Sequence, residues 1–192
     1  MFNIVLHGPP GCGKGTQSAL IAEKYLLTHI STGDILRKEI ELHTAIGEIV
    51  KKFVDRGYLV PDDIIMREIF TSSTSENGKK GLLFDGFPRT TFQAEYLDDI
   101  LEHKNQKISL VINLEVDEDE LFRRVHGRSS DSGRSDDNIE ILKNRIEVYY
   151  KSTHPLIEYY KSQNKLHTVS GMAPVKEVFN RICSVIDKFY YN

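Results

Sequence analysis

The sequence predicts an α/β fold, a five-stranded parallel sheet with helices on both faces. Three observations predict it. Five short apolar runs are separated by stretches of helical period, the first run feeds a glycine-rich loop, and a helix follows that loop directly. The runs are Phe2–Leu6, Leu27–Ile30, Leu82–Phe84, Ile108–Leu114 and Leu166–Val169. Strands that alternate with helices build parallel sheets buried on both sides, so they read as continuous apolar runs.

Four segments carry the helical period. Gln17–Tyr25 follows the glycine loop, and Thr91–His103 places Phe92, Tyr96 and Ile100 on one face. Asn138–Tyr150 does the same with Ile139, Leu142, Ile146 and Tyr149, and Val175–Phe189 with Val178, Ile182, Val185 and Ile186. Two stretches interrupt the alternation. Residues 30 to 81 hold several helices and no obvious strand, which predicts a helical insertion at 31–60. GRSSDSGRSDDN, at 127–138, is polar and glycine-containing, and predicts a short lid at 127–137. The core then comprises 1–30, 61–126 and 138–192, with SSTSENGKKG at 72–81 as a surface loop.

The chain has 192 residues, 40% of them hydrophobic, and a formal net charge of −3. That length suits one compact domain with small insertions. The near-balanced charge speaks against a nucleic-acid binder, and no apolar run approaches the roughly 20 residues of a membrane span. The N-terminal FNIVL is too short for a signal peptide and runs into the glycine loop. Two cysteines, Cys12 and Cys183, make neither a disulfide framework nor a metal pair. Together these features predict a cytoplasmic protein with reduced thiols, and a monomer, since no heptad or large apolar stripe is evident.

HGPPGCGKGT, residues 7–16, carries the chemistry. Gly8, Gly13 and Lys14 satisfy GxxxxGK between a strand and a helix, the context a phosphate-binding loop requires. Its glycines let backbone N–H groups converge on a phosphate, the helix N-terminus adds partial positive charge, and Lys14 can bridge terminal phosphates. Gly11, Cys12, Gly13, Lys14, Gly15 and Thr16 are therefore the expected ATP-phosphate residues. Gly15 stands where many such loops put the Ser or Thr that ligates Mg²⁺. The ion would then be held by phosphates and waters, oriented by a carboxylate elsewhere. Asp85, ending the strand GLLFD, is the candidate, because ligands bind at the C-terminal ends of parallel strands.

HGPPGCGKGTQ, STGDILR, DGFPRTTFQ and GRSSDSGRSDDN occur in this order, and together they resemble adenylate kinase, in its short-lid form within the nucleoside monophosphate kinases. The resemblance runs from about Ile4 to Val178. It implies that the 31–60 insertion binds AMP and that the reaction is Mg·ATP + AMP ⇌ 2 ADP, with ATP, AMP and ADP as the small-molecule partners and a place in adenine nucleotide homeostasis and salvage. The lid has no cysteines, so the zinc-bearing form is not expected.

Arginines supply the countercharge that two polyanions need. Six of ten lie in motifs: Arg37, Arg89, Arg124, Arg128, Arg134 and Arg145. Arg124 and Arg128 are four apart on the expected helix Glu118–Gly127, on one face, where like charges weaken a helix unless an anion lies between them. The resemblance implies that Lys14, Arg124, Arg128, Arg134 and Arg145 stabilise the transferring group and the polyphosphates, and that Arg37 and Arg89 hold the AMP phosphate. Asp136 and Asp137 are expected to cap the next helix and pair with lid arginines. No HRD motif is present. A phosphate acceptor needs no such base, being largely ionised at neutral pH.

Ser31 and Asp34 have the spacing of a helix capping box. In the resemblance Thr32 meets the acceptor base, Tyr58, Leu59 and Val60 cover it, Gly86 joins the AMP site, and Gln93 offers adenine both a donor and an acceptor. Met172 and Ala173, in SGMAPV, look like the loop that meets the ATP adenine through its backbone. Relatives preferring pyrimidine monophosphates have Ala, Glu and Asn where this chain has Thr32, Asp34 and Thr90, so AMP is favoured over the alternative of a UMP/CMP kinase. A GTPase-type switch would need an NKxD motif, which is absent, and a nucleotide sensor would not need the arginine set. His7, where the family usually has an aliphatic residue or Gly, is expected to be a packed strand-end histidine. Cys12, at a helix N-terminus, is expected to be an oxidisable thiol.

Overall fold

The computed structural model describes the backbone of residues 1–72, 78–132 and 138–190, and their side chains except those of 70–72 and 128–132. The five strands are β1 (Asn3–His7), β2 (Leu27–Ser31), β3 (Gly81–Asp85), β4 (Ile108–Glu115) and β5 (Leu166–Ser170). All pair in parallel, in the order β2-β3-β1-β4-β5. The chain fills one side of β1 with β2 and β3, then crosses to β4 and β5. β1 is thus the switch point, and a crevice opens beyond its C-terminal end.

Each strand sends alternate residues to opposite faces, and both faces are dry. Ile4 and Leu6 join one core with Leu83, Leu110 and Ile112, covered by α1 (Lys14–Tyr25), α6 (Glu118–Ser132), α7 (Ile139–Val148) and α9 (Val175–Tyr190). Val5 joins the other core with Leu82, Phe84 and Val111, covered by α2 (Thr32–Glu41), α3 (Ala45–Val54), α4 (Asp62–Ser72), α5 (Thr91–His103) and α8 (Leu156–Ser162). Fully burying such a side chain contributes about 1.5–3 kcal/mol, so the rigid centre lies directly beneath the crevice.

The helix ends follow side-chain chemistry. Thr44 caps α3 by accepting from Gly47 N at 2.9 Å, and Thr90 caps α5 by accepting from Gln93 N at 3.2 Å. α7 is capped by Asn138, whose Oδ1 accepts from Glu140 N at 2.8 Å. This corrects the expectation of an Asp136/Asp137 cap: the extended backbone at Asn138 puts its own amide over the first turn. Asp136 and Asp137 lie outside the described residues. Asn138→Ala is expected to lower the melting temperature by about 2–4 °C, the effect of losing one cap in a domain of this size, read by thermal denaturation.

Three other boundaries differ from expectation. The helix expected over Asn138–Tyr150 ends at Val148 and widens into a π turn, Tyr149–Thr153, before Pro155 opens α8. The wider turn still buries Tyr149 and Thr153, four residues apart, on one side of the chain. α6 continues to Ser132, so residues 127–132 of the expected lid are helical, and Gly81, read as the end of a surface loop, begins β3.

Candidate active site

A cleft of about 520 Å³ lies at the C-terminal ends of β1 and β3. Its floor is the glycine loop. Gly13 takes φ 99°, a left-handed conformation open to glycine, and turns the chain into α1 with no side chain capping the first turn. Those N–H groups therefore face the cleft. Lys14 Nζ donates to Gly8 O at 2.7 Å and Pro9 O at 2.9 Å, which folds the ammonium over the loop. Gly11, Gly15 and Thr16 also line the cleft. Cys12 does not; it is 2% exposed, packed into the core, with its Sγ 3.7 Å from Lys14 Nζ. An oxidant would have to open the loop to reach it.

Asp85 enters from the end of β3. A Cβ at Gly15 would stand 3.8 Å from Asp85 Oδ2, so the two positions face each other across the site where a loop hydroxyl would otherwise sit. One buried carboxylate without a neighbouring hydroxyl suits an ion held mainly by phosphates and waters. Among the described residues no three His, Cys, Asp or Glu side chains converge on a metal position. His29 Nε2 lies 3.4 Å from Asp85 Oδ2. The sequence did not single out His29; only the β2–β3 register brings it there.

The opposite wall comes from the insertion and from the segment after β3. Arg37, Tyr58, Leu59, Val60, Gly86, Arg89, Gln93 and Arg145 all line the same cleft. Arg37 is braced by Asp34, Nη2 to Oδ1 at 2.5 Å, while Ser31 Oγ accepts from Asp34 N at 3.3 Å and caps α2. The Ser31 half of the expected capping box is thus present, with the Asp34 carboxylate turned to Arg37. Arg89 Nε donates to Gly86 O at 2.7 Å. Gly86 has φ 77°, and a Cβ there would stand 2.7 Å from Thr32 Oγ1 and 3.1 Å from Arg89 Nη2. Only glycine fits between them. Thr32 itself is 1% exposed and donates to Gly86 O at 2.9 Å, joining the start of α2 to the end of β3 from behind the cleft wall.

Arg124 stands on the other side of the loop. It donates to Glu120 Oε1 at 2.7 Å, to Cys12 O at 3.2 Å and to Gly171 O at 2.8 Å. It therefore ties the glycine loop to the segment bearing Met172 and Ala173, which lie outside the cleft wall. Hydrogen bonds from Arg123, then from Arg124, hold the Glu120 carboxyl down at about 2. The side chain of Arg128, and all of Arg134, lie outside the described residues. His7 is packed as expected: 4% exposed, with Nε2 3.4 Å from Tyr149 Oη. Burial, then the Lys14 and His154 charges, lower its pKa to about 3, so the ring is neutral at working pH. Burial pushes the Tyr149 phenol up.

Four cations of the described set, Lys14, Arg37, Arg89 and Arg145, thus share one cleft with the side chain of Gln93. A model of the family described as adenylate kinase matches residues 6–165. The chain is 46% identical to the adenylate kinase of Bacteroides thetaiotaomicron over 98% of its length and 100% of that protein. It is 44% identical to that of Parabacteroides distasonis, covering 97% and 98% of the two chains. It is 41% identical to that of Porphyromonas gingivalis, covering 98% and 97%. A glycine-rich phosphate loop, an arginine-lined wall facing it and likeness along almost the whole chain agree: this chain belongs to the adenylate kinase family.

Proposed function

We propose that this chain transfers the terminal phosphoryl group of Mg·ATP to AMP, giving two ADP, with the donor phosphates on the glycine loop and AMP between the insertion and the end of β3. The observation that supports this most is the shared cleft. The loop that binds one polyphosphate and the arginines that suit a second phosphate face each other across it, with Gln93 beside them. The relatives at 41–46% identity are named for adenylate, and nothing in the cleft favours a pyrimidine acceptor.

The residues divide the work by position. The first-turn N–H groups of α1 and Lys14 neutralise the donor's terminal phosphates. Lys14 leaves the Gly8 and Pro9 carbonyls to do so. Arg37 and Arg89 hold the acceptor phosphate, and Arg145 reaches the transferring group from α7, with Arg124, Arg128 and Arg134 completing the countercharge. Mg²⁺, when bound with ATP, screens phosphate charge; Asp85 is the residue that would orient its waters. No general base is required, because the acceptor oxygen is already ionised. The catalytic contribution is positioning and fixed charge, strongest once water is excluded. We assign that exclusion to closure of the insertion (31–60) and lid (127–137) over the core (1–30, 61–126 and 138–192), which also protects ATP from hydrolysis. We further place the protein in the cytoplasm as a monomer. The two free, buried cysteines are consistent with a reducing compartment, and among the described residues no helix is long and apolar enough to cross a membrane.

A coupled assay with Mg·ATP and each of AMP, GMP, CMP and UMP tests the reading. ADP formation is expected with AMP and only poorly with the others. Preference for UMP or CMP would keep the mechanism and overturn the acceptor assignment; no transfer to any of them would leave a nucleotide-binding protein without this activity.

A further inference from the structure

Gln93, the side chain assigned above to the acceptor base, is held at both ends of its amide. Its Oε1 accepts from the Arg89 backbone N–H at 2.7 Å, and its Nε2 donates to Asp62 Oδ1 at 2.5 Å. The two partners are chemically opposite. A backbone N–H can only donate, and an ionised carboxylate can only accept. Turning the amide by half a revolution would set oxygen against carboxylate and N–H against N–H. Gln93 is 2% exposed, so water cannot replace either lost hydrogen bond. The amide therefore has one orientation. After these bonds it keeps one N–H and one oxygen lone pair, in a fixed order along the cleft wall.

That order matters for a purine. The 6-position of adenine carries a donor, its amino group, beside a ring-nitrogen acceptor; a 6-oxopurine carries an acceptor, O6, beside the N1–H donor. A glutamine amide can match either edge, but only in opposite orientations. We propose that Asp62 is a specificity-determining positioning residue: by fixing the Gln93 amide in one orientation it admits a 6-aminopurine monophosphate and rejects a 6-oxopurine monophosphate. Asp62 is the first residue of α4, half-buried behind Pro61, where a carboxylate is favoured by the helix N-terminus. Its link to Gln93 spans 31 residues and joins α4 to α5, so the orientation of the amide is set by packing between helices and not by the cap of α5 alone. The proposal rests on Gln93 reading the base.

The test is steady-state kcat/KM for AMP and for IMP, which share ribose and phosphate and differ at the purine edge, at saturating Mg·ATP. Asp62→Asn offers the Nε2 end of Gln93 an ambivalent partner, leaving the Arg89 N–H to enforce the orientation. It is expected to raise the IMP/AMP ratio of kcat/KM about tenfold, the worth of one charge-assisted hydrogen bond, through a higher KM for AMP with KM for ATP unmoved. Asp62→Ser, an ambivalent hydroxyl suited to a helix start, is expected to do the same and serves if the first variant fails to fold. Asp62→Glu keeps an accept-only partner and should hold the ratio near that of the parent. Gln93→Leu separates the two ideas. If it abolishes discrimination while the Asn and Ser variants leave the ratio unchanged, Asp62 is only a helix residue and the proposal falls. If Gln93→Leu itself leaves the ratio unchanged, Gln93 does not read the base, and the acceptor-site assignment falls with the proposal.

Discussion

Arg89→Ala is expected to lower kcat with AMP by a factor on the order of 10³–10⁵ while leaving the affinity for ATP nearly intact. Arg89 sits in the segment after β3, on the side of the cleft proposed for the acceptor, and its Nε bonds within that segment, not to the glycine loop proposed to hold ATP. Its guanidinium is positioned by a hydrogen bond from Nε to Gly86 O, and the residue lines the cleft; a guanidinium suits a phosphate through its paired N–H groups. When phosphate meets phosphate, repulsion between the anions is the obstacle, and a fixed guanidinium removes it without reorganising water. Losing Arg89 should therefore hurt the step in which the two anions approach. The coupled assay gives kcat and KM, and titration calorimetry with ATP gives Kd. A variant with weakened ATP binding and intact turnover at saturation would place Arg89 on the donor instead.

Much of this cleft is legible in the sequence. The parallel sheet follows from apolar runs such as Ile108–Leu114, because a strand buried on both faces has no polar side to show. The glycine loop is legible because its function lies in backbone N–H groups, which a run of glycines between strand and helix exposes. The meeting of Arg37 and Arg89 on one cleft wall is legible only through ordered motifs: the two are far apart in sequence, and the turn beside them depends on Gly86, whose missing Cβ makes room for Thr32 and Arg89. Other features left no local signal. His29 reaches Asp85 through strand register, and Asp62 reaches Gln93 across two helices. The π turn at Tyr149–Thr153 breaks the period by which helices are recognised, and α8 was missed for the same reason. Arg124 shows the limit of motif reading for roles: the motif proposes a phosphate ligand, whereas the fold shows a brace, with the guanidinium holding Cys12 O and Gly171 O beside the glycine loop.

His7 should make the protein lose stability in mild acid, and His7→Phe should remove that part of the loss. The ring ends β1 at 4% exposure, facing Tyr149, with Lys14 and His154 nearby. Burial and those two charges oppose a further positive charge, which is why the folded-state pKa falls from the ordinary 6.5 to about 3. Above pH 6.5 the ring is neutral in both states and contributes no pH dependence. Between about 6.5 and 3 the unfolded chain binds a proton that the folded chain refuses, so stability falls as pH falls. At pH 5 the penalty from this one group is about 2 kcal/mol, a roughly thirtyfold change in the unfolding equilibrium. Phenylalanine keeps an aromatic ring against Tyr149 and cannot take up the proton. Urea denaturation of both proteins at pH 7.5 and pH 5 is expected to show a drop in unfolding free energy smaller by about 2 kcal/mol in the variant. The comparison uses the change with pH within each protein, so any constant cost of the substitution cancels. Equal drops would mean that the histidine is protonated in the folded state, with Tyr149 Oη and the cleft water stabilising the charge so close to Lys14.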